Sequence, residues 1–358
     1  MTQDLLTRLN GRVGHISLNR PAALHALNLD MVHAMTAALL AWRADGAVEA
    51  VIIDHAEGRG FCAGGDINML RTSALEDSGV TGRRFFHDEY QLNHLLFTYP
   101  KPVVAFMDGI TMGGGVGISQ PARFRIATEN TRLAMPETGI GLFPDVGGGW
   151  YLSRLPGRIG AFLALTGARL DGAECLEVGL ATHYTSAKAV EALKAWIVTY
   201  PDRVEDVLYT LCYMPEHKAH LWDVPPPARI AANIDIINRL FASDVYEDIL
   251  AALEADGGDW AMKELKTLRT KSPQTCKVAL RQLAISATLS DFAENMAMEY
   301  RIASRVLMRP DFAEGVRAVI VDKDNAPAWN PATPEGVTPE LLDAIFAPLP
   351  ADQEWKPL

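Results

Sequence analysis

The chain has little cysteine, no long apolar run and a shortage of positive charge, and each shortage excludes something. Its four cysteines, Cys62, Cys175, Cys212 and Cys276, are widely spaced with no C-x-x-C pair. That pattern excludes a disulfide framework or a zinc ribbon and reads as reduced thiols, so no metal is expected. Lys and Arg number 33 against 44 Asp and Glu, a formal net charge of −11, and the pI is near 5.3. Nucleic acids and anionic membrane surfaces are met by clustered Lys and Arg, so neither is an expected partner. No apolar stretch has membrane-spanning length, and Met1-Thr2-Gln3-Asp4-Leu5-Leu6 lacks a basic region followed by an apolar one. The expected location is therefore cytoplasmic. There is no internal repeat and no low-complexity tract.

What remains is a chain of 358 residues, 49% hydrophobic and 22% charged, with room for one large or two moderate domains and a sizeable core. Short β-type runs, Val13 to Leu18, Val51 to Asp54 and Val103 to Phe106, alternate with helix-patterned segments such as Leu29 to Trp42. That alternation predicts a layered α/β core. Beyond Thr182 the pattern turns helical, over Ala187 to Val198, Ala231 to Leu240, Tyr246 to Ala255, Cys276 to Leu283 and Ala293 to Leu307. The division expected is residues 1–185 as the core that carries the site and 186–358 as a mostly helical extension. Val224-Pro225-Pro226-Pro227 punctuates the extension as a rigid connector, and a Pro-rich tail from Asn325 to Pro350 is expected on the surface.

Chemistry concentrates in two glycine-rich loops and the carboxylates after them. The first is Gly60-Phe61-Cys62-Ala63-Gly64-Gly65-Asp66; the second is Met112-Gly113-Gly114-Gly115-Val116-Gly117. Glycines let a backbone turn sharply and approach a ligand with bare amides, which can hold a developing oxyanion. Downstream stand Met135-Pro136-Glu137 and Phe143-Pro144-Asp145-Val146-Gly147-Gly148-Gly149, whose carboxylates can act as base or nucleophile.

These stretches resemble the crotonase (enoyl-CoA hydratase/isomerase) superfamily, and within it look most like the 3-hydroxyisobutyryl-CoA hydrolases. The resemblance runs from Leu18-Asn19-Arg20-Pro21 to Gly167-Ala168-Arg169-Leu170 and returns at Asp311 to Ala318 and Asp322-Lys323-Asp324. It implies a crotonase spiral of ββα units followed by a C-terminal helical region. It places an oxyanion hole on the amides of Gly65 and Gly114, and substrate contacts on Glu89, Gly114, Glu137 and Asp145. Coenzyme A contacts are expected at Arg20, Ala63, Asp66, Ile67 and Lys323, with Arg59 a further cation for its phosphates. The family's hydratases carry a second glutamate where this chain has Gly117, which disfavours simple hydration. Asp145 stands where hydratases tend to have glycine, and the hydrolases share the aspartate. His25 replaces a usual asparagine. The implied activity is hydrolysis of a 3-hydroxyacyl-CoA thioester in valine breakdown, with no cofactor beyond the coenzyme A of the substrate. Glu137 attacks through an acyl anhydride or activates water; Asp145 fixes the 3-hydroxyl or orients that water. An enoyl-CoA hydratase or double-bond isomerase is the alternative, and a non-catalytic acyl-CoA-binding protein the second. Crotonases commonly form trimers and pairs of trimers, so a homo-oligomer is among the expected partners.

Each feature also has a plainer reading. Gly58-Arg59-Gly60-Phe61-Cys62-Ala63 loosely fits a dinucleotide fingerprint, but Gly64 and Gly65 would open the helix that should carry the pyrophosphate. His217 and His220 read as solvated surface, and Cys62 as a small packed residue. Glu137 alone is equally a helix-entry residue, Asp145 a turn former, and Glu89 the solvated face of an aromatic-rich helix.

Overall fold

The computed structural model of the protein describes residues 3–214 and 224–358. His217 and His220 lie outside the described residues. The chain divides into two compact units. The first comprises Met1–Gly65, Leu92–Ala134 and Arg169–Ala232; the second comprises Asp66–Gln91, Met135–Ala168 and Asn233–Leu358. The expected division after residue 185 falls inside the last segment of the first unit.

The first unit contains ten strands: β1 (Leu5–Asn10), β2 (Val13–Leu18), β3 (Ala50–His55), β4 (Gly60–Cys62), β5 (Val103–Met107), β6 (Ile110–Met112), β7 (Phe124–Ala127), β8 (Arg132–Ala134), β9 (Leu170–Asp171) and β10 (His183–Tyr184). They form a six-stranded sheet in the order β1-β2-β3-β5-β7-β10 and a four-stranded sheet in the order β4-β6-β8-β9. Apart from the antiparallel β1-β2 and β8-β9 edges, neighbours run parallel. Consecutive strands β3/β4, β5/β6 and β7/β8 each place one member in either sheet. That repeat is the ββα spiral the resemblance implies.

Residue pattern explains the larger sheet. Ala50 and Ile52, Val104 and Phe106, and Phe124 and Ile126 repeat every second position, so they share a face and pack with Val190, Leu193 and Ile197 and with Val204, Val207 and Leu208. These belong to the helices Val190–Thr199 and Val204–Leu211. Val51, Ile53, Val103 and Ala105 on the opposite face are buried as well. A parallel sheet covered on both faces needs such uninterrupted apolar runs. The helix Leu29–Ala44 starts where Asn28 accepts a hydrogen bond from the Met31 amide at 2.9 Å. All four cysteines are buried and none forms a disulfide.

One departure occurs near the first loop. His25 is fully buried in left-handed backbone (φ 60°), accepts from the Arg20 amide at Nδ1 (2.9 Å) and meets the Glu57 carbonyl with Nε2 (2.8 Å). Asparagine tolerates that backbone region and histidine is also enriched there, so the replacement preserves a turn. Burial lowers the His25 pKa, which keeps the ring neutral with one donor and one acceptor.

The second unit is helical. Its helix Pro273–Ser286 extends the expected Cys276 to Leu283, because Ser272 caps it through the Thr275 amide and proline stands at its first position. The tail is held more firmly than expected. It forms the helix Pro339–Phe346, which packs on the helix Phe292–Val306, and ends near a buried Trp355 whose indole donates to the His87 carbonyl at 3.1 Å.

The two glycine loops of the first unit meet at Gly115, where an added Cβ would lie 2.2 Å from the Cys62 carbonyl oxygen and 2.9 Å from the Cys62 Cβ. Neither atom can swing away, since both are backbone or nearly so. Gly115→Ala is expected to lose about 1–3 kcal/mol of stability or more, read as a melting midpoint lowered by several degrees. An unchanged midpoint would show that the loops are not in contact.

Candidate active site

The first loop turns at Gly64, whose φ of 119° is accessible to glycine and strained for other residues. An added Cβ there would sit 3.5 Å from the Met112 carbonyl and 3.8 Å from the Gly114 nitrogen, so the loops face one another. Gly114 opens the short helix Gly114–Ser119, and Gly65 pairs with Leu27 in an isolated bridge. Among the described residues, neither the Gly65 nor the Gly114 amide donates to a backbone carbonyl. Gly117 is buried in the same short helix, and its carbonyl accepts from Asn93 Nδ2 at 3.0 Å. Cys62 is fully buried beneath Gly115, in keeping with a packed residue.

In the second unit the carboxylates gather. Pro136 leads into a 3₁₀ turn, Glu137–Ile140, that buries Glu137 and leaves its Oε2 without a hydrogen-bond partner. The turn is buttressed by the Asp311 motif: Gly315 packs directly on the Ile140 backbone, and Asp311 accepts from Ser272 Oγ (2.5 Å) and the Asn330 amide (2.7 Å). Lys271 reaches the same turn, its Nζ lying 3.3 Å from where a Gly139 Cβ would sit.

Asp145 is also buried and accepts from the Tyr90 hydroxyl at 2.8 Å. Tyr90 follows Glu89 on the helix Val80–Phe97. Glu89 is only 2% exposed and its Oε1 has no hydrogen-bond partner, so this face of the helix is not solvated. Beyond Asp145 the backbone is left-handed at Val146 (φ 52°) and Gly147 (φ 88°), then enters the helix Gly148–Leu152. Glu299, fully buried on the helix Phe292–Val306, accepts from the amides of Gly147 (2.7 Å) and Gly149 (3.0 Å).

Desolvation dominates the electrostatics. Burial raises the pKa of Glu89 and Glu137 well above the usual carboxylate range, and the negative charge of Asp145 raises both further. Asp145 is pushed up to about 7 by burial, against the opposing Tyr90 hydrogen bond. Glu299 likewise rises to about 7 through burial, although the amide donors resist it. Lys271, depressed by its own burial, lowers Glu137 slightly. Carboxyls so poorly solvated hold protons near neutrality and become strong bases or nucleophiles once ionised.

The second unit thus brings Glu89, Glu137 and Asp145 under one another's influence, together with Tyr90, Glu299 and Lys271. Sequence reasoning missed these last three. Tyr90 adjoins Glu89 in an acidic, aromatic stretch; Glu299 is an acid among the apolar residues of its helix, which is the signal that could have found it.

The coenzyme A candidates are distributed. In the first unit, Arg20 Nη1 donates to the Ala26 carbonyl (3.0 Å), the Ala63 amide donates to the Leu24 carbonyl (3.0 Å), and Arg59 is exposed. In the second, Asp66 caps the helix Ile67–Glu76 through the Met69 amide (3.2 Å), and Ile67 is half-buried. Lys323 is exposed, in left-handed backbone (φ 58°), just past the π-helix Arg317–Val321. Among the described residues no group of three or more His, Cys, Asp or Glu is placed to hold a metal ion, and no helix is long and apolar enough to cross a membrane.

A spiral of paired strands carrying glycine loops defines the class of crotonase-fold enzymes. The chain matches the Enoyl-CoA hydratase/isomerase family over residues 13–346 and belongs to it. It is 44% identical over 353 residues to a protein from Xenopus tropicalis named 3-hydroxyisobutyryl-CoA hydrolase, mitochondrial, covering 96% of this chain and 89% of that one. The protein of the same name from Homo sapiens is 39% identical over 349 residues, with coverage of 97% and 89%. Among solved structures it is similar to a carnitinyl-CoA dehydratase from Mycobacterium thermoresistibile, with a TM-score of 0.91, 38% identity and 99% of each chain covered. An enoyl-CoA hydratase from Rhodobacter sphaeroides 2.4.1 gives a TM-score of 0.89, 39% identity and 99% of each chain. The expected family and fold are borne out.

The cytoplasmic expectation is overturned, since both hydrolases are named as mitochondrial. Compartments are assigned by targeting signals rather than by the composition of the folded chain, so composition had no hold on this point.

Burial of Asp145 has a measurable consequence. An acid whose folded pKa exceeds its unfolded value keeps its proton in the native state after the unfolded chain has lost it. Its contribution is fully present below about pH 4 and is lost as pH rises through about 7. Asp145→Asn, which can still accept from Tyr90 but does not titrate, is expected to gain stability relative to the wild type as pH rises over that window. Melting curves at half-unit pH intervals check this; a constant difference would place Asp145 in contact with solvent.

Proposed function

We propose that the protein hydrolyses a 3-hydroxyacyl-CoA thioester, with 3-hydroxyisobutyryl-CoA as the substrate, releasing 3-hydroxyisobutyrate and coenzyme A in valine breakdown. The observation that carries this reading is the likeness, 39–44% identical over nearly the whole chain, to proteins named for that activity. Gly117 supports it, since the second glutamate of the family's hydratases is missing there.

In this reading the Gly65 and Gly114 amides, which have no backbone carbonyl as acceptor among the described residues, serve as the oxyanion hole for the thioester oxygen. Glu137 acts at the thioester carbon. Its unpartnered Oε2 makes the ionised carboxylate weakly solvated and therefore reactive, as nucleophile or as base toward water. As a nucleophile it forms an acyl anhydride and expels coenzyme A as the thiolate, and water then cleaves the anhydride to return the carboxylate. Asp145 binds the 3-hydroxyl or orients the water, and Glu89 contributes a further substrate contact. Coenzyme A arrives with the substrate, so the reaction consumes only water. Arg20, Ala63, Asp66, Ile67 and Lys323 are assigned to its binding, and a homo-oligomer to the assembled state.

Enoyl-CoA hydration is the second reading, favoured by the likeness to the enoyl-CoA hydratase from Rhodobacter sphaeroides 2.4.1. A thiol reagent separates the two. Coenzyme A release from 3-hydroxyisobutyryl-CoA, with no loss of the enoyl absorbance of crotonyl-CoA, is the expected result; the reverse would make the chain a hydratase.

Glu137→Gln is expected to keep the fold while kcat falls on the order of a hundredfold or more, because an amide is neither nucleophile nor base. Near-normal turnover would make Glu137 structural. Asp145→Gly should lose more activity on 3-hydroxyisobutyryl-CoA than on isobutyryl-CoA, which lacks the hydroxyl. A hydrogen bond to a charged group is worth about 1.5–3 kcal/mol, so the preference should shrink roughly ten- to a hundredfold. Equal losses on both would assign Asp145 to the water instead.

A further inference from the structure

Glu299 is a fully buried carboxylate that accepts hydrogen bonds from neutral donors. Besides the Gly147 and Gly149 amides, its Oε1 accepts from Gln282 Nε2 and Asn295 Nδ2, each at 2.9 Å. Asn295 is itself aimed by Ser286 Oγ, which donates to its Oδ1 at 2.6 Å. Gln282 Nε2 also donates to the Pro144 carbonyl at 2.7 Å. The network therefore grips the Asp145 loop on both sides, at Pro144 before it and at Gly147 and Gly149 after it.

The loop needs that grip. Val146 is β-branched and left-handed, a strained conformation that persists only where surroundings enforce it. The amides that follow open the helix Gly148–Leu152, which has no side-chain cap of its own. We propose that Glu299 is a positioning residue for the hydrolysis proposed above: by clamping the Gly147 and Gly149 amides it fixes the Asp145 carboxylate against the Tyr90 hydroxyl. Glutamine at 299 keeps the volume but offers one acceptor oxygen, and its NH₂ faces donors, so half the clamp is lost.

The inference rests on the hydrolase reading, and the test separates the two. Coenzyme A release by the wild-type chain from 3-hydroxyisobutyryl-CoA is measured first; none would sink the hydrolase reading whatever Glu299 does. For Glu299→Gln, shown folded by its melting curve, kcat/KM on 3-hydroxyisobutyryl-CoA should fall about ten- to a hundredfold. The loss on isobutyryl-CoA should be roughly tenfold smaller, so that the preference narrows. In an Asp145→Gly background the same substitution should narrow it no further. An undiminished loss from the same substitution in the Asp145→Gly background, or equal losses on both substrates where Asp145→Gly is itself selective, would reduce Glu299 to a helix cap and overturn the proposal. If Glu299→Gln does not fold, Asn295→Ala keeps the carboxylate and removes one group that aims it. A narrowing of about threefold supports the clamp, and an unchanged preference overturns it. Amide hydrogen exchange needs no turnover: Gly147 and Gly149 should exchange about tenfold faster in Glu299→Gln or, if that does not fold, in Asn295→Ala, and unaltered exchange refutes the clamp.

Discussion

Removal of water from four carboxyls is the constraint on which the second unit depends. Glu89, Glu137, Asp145 and Glu299 are each at most 5% exposed, and an ionised carboxylate buried without compensation is costly enough that the group either finds donors or keeps its proton. The structure uses both remedies, and it distributes them unevenly. Glu299 receives four neutral donors and Asp145 receives the Tyr90 hydroxyl, while Glu89 and Glu137 each retain an oxygen with no partner.

Much of the surrounding architecture follows from holding those carboxyls in place. The Asp311 motif supports the turn of Glu137, and the helices Pro273–Ser286 and Phe292–Val306 supply the donors that grip the Asp145 loop. Segments that looked like a helical appendage in the sequence therefore furnish the walls of the carboxyl cluster. The first unit meets a different demand. Its strands alternate between two sheets, so successive connections fall at one end of the spiral, and there glycines let two loops approach to backbone contact.

Family membership and chemistry answer to different residues. Paired strands and glycine loops place the chain among the Enoyl-CoA hydratase/isomerase proteins, and the proteins it is similar to are named hydratase, dehydratase and hydrolase. Fold alone does not select among these reactions. In the proposed reading that selection falls to a handful of positions, Gly117 and Asp145 foremost, at which a carboxylate is absent or present.

From the sequence by itself came the alternating strands Val13 to Leu18, Val51 to Asp54 and Val103 to Phe106, the helices beyond Thr182, and the two loops with Glu137 and Asp145. These are local signals: period-two apolar runs, glycine clusters and family motifs are all written within a few residues of one another. Tertiary structure decided the rest. It showed that Glu89 faces inward and not toward solvent, that Tyr90 holds Asp145, and that Glu299, 154 positions beyond Asp145 (299 − 145), belongs to the same cluster. It also interleaved the two units, where the sequence reading expected one boundary. Burial and hydrogen bonding depend on which distant segments meet, and an acid on an apolar helix looks the same in sequence whether its face is wet or dry.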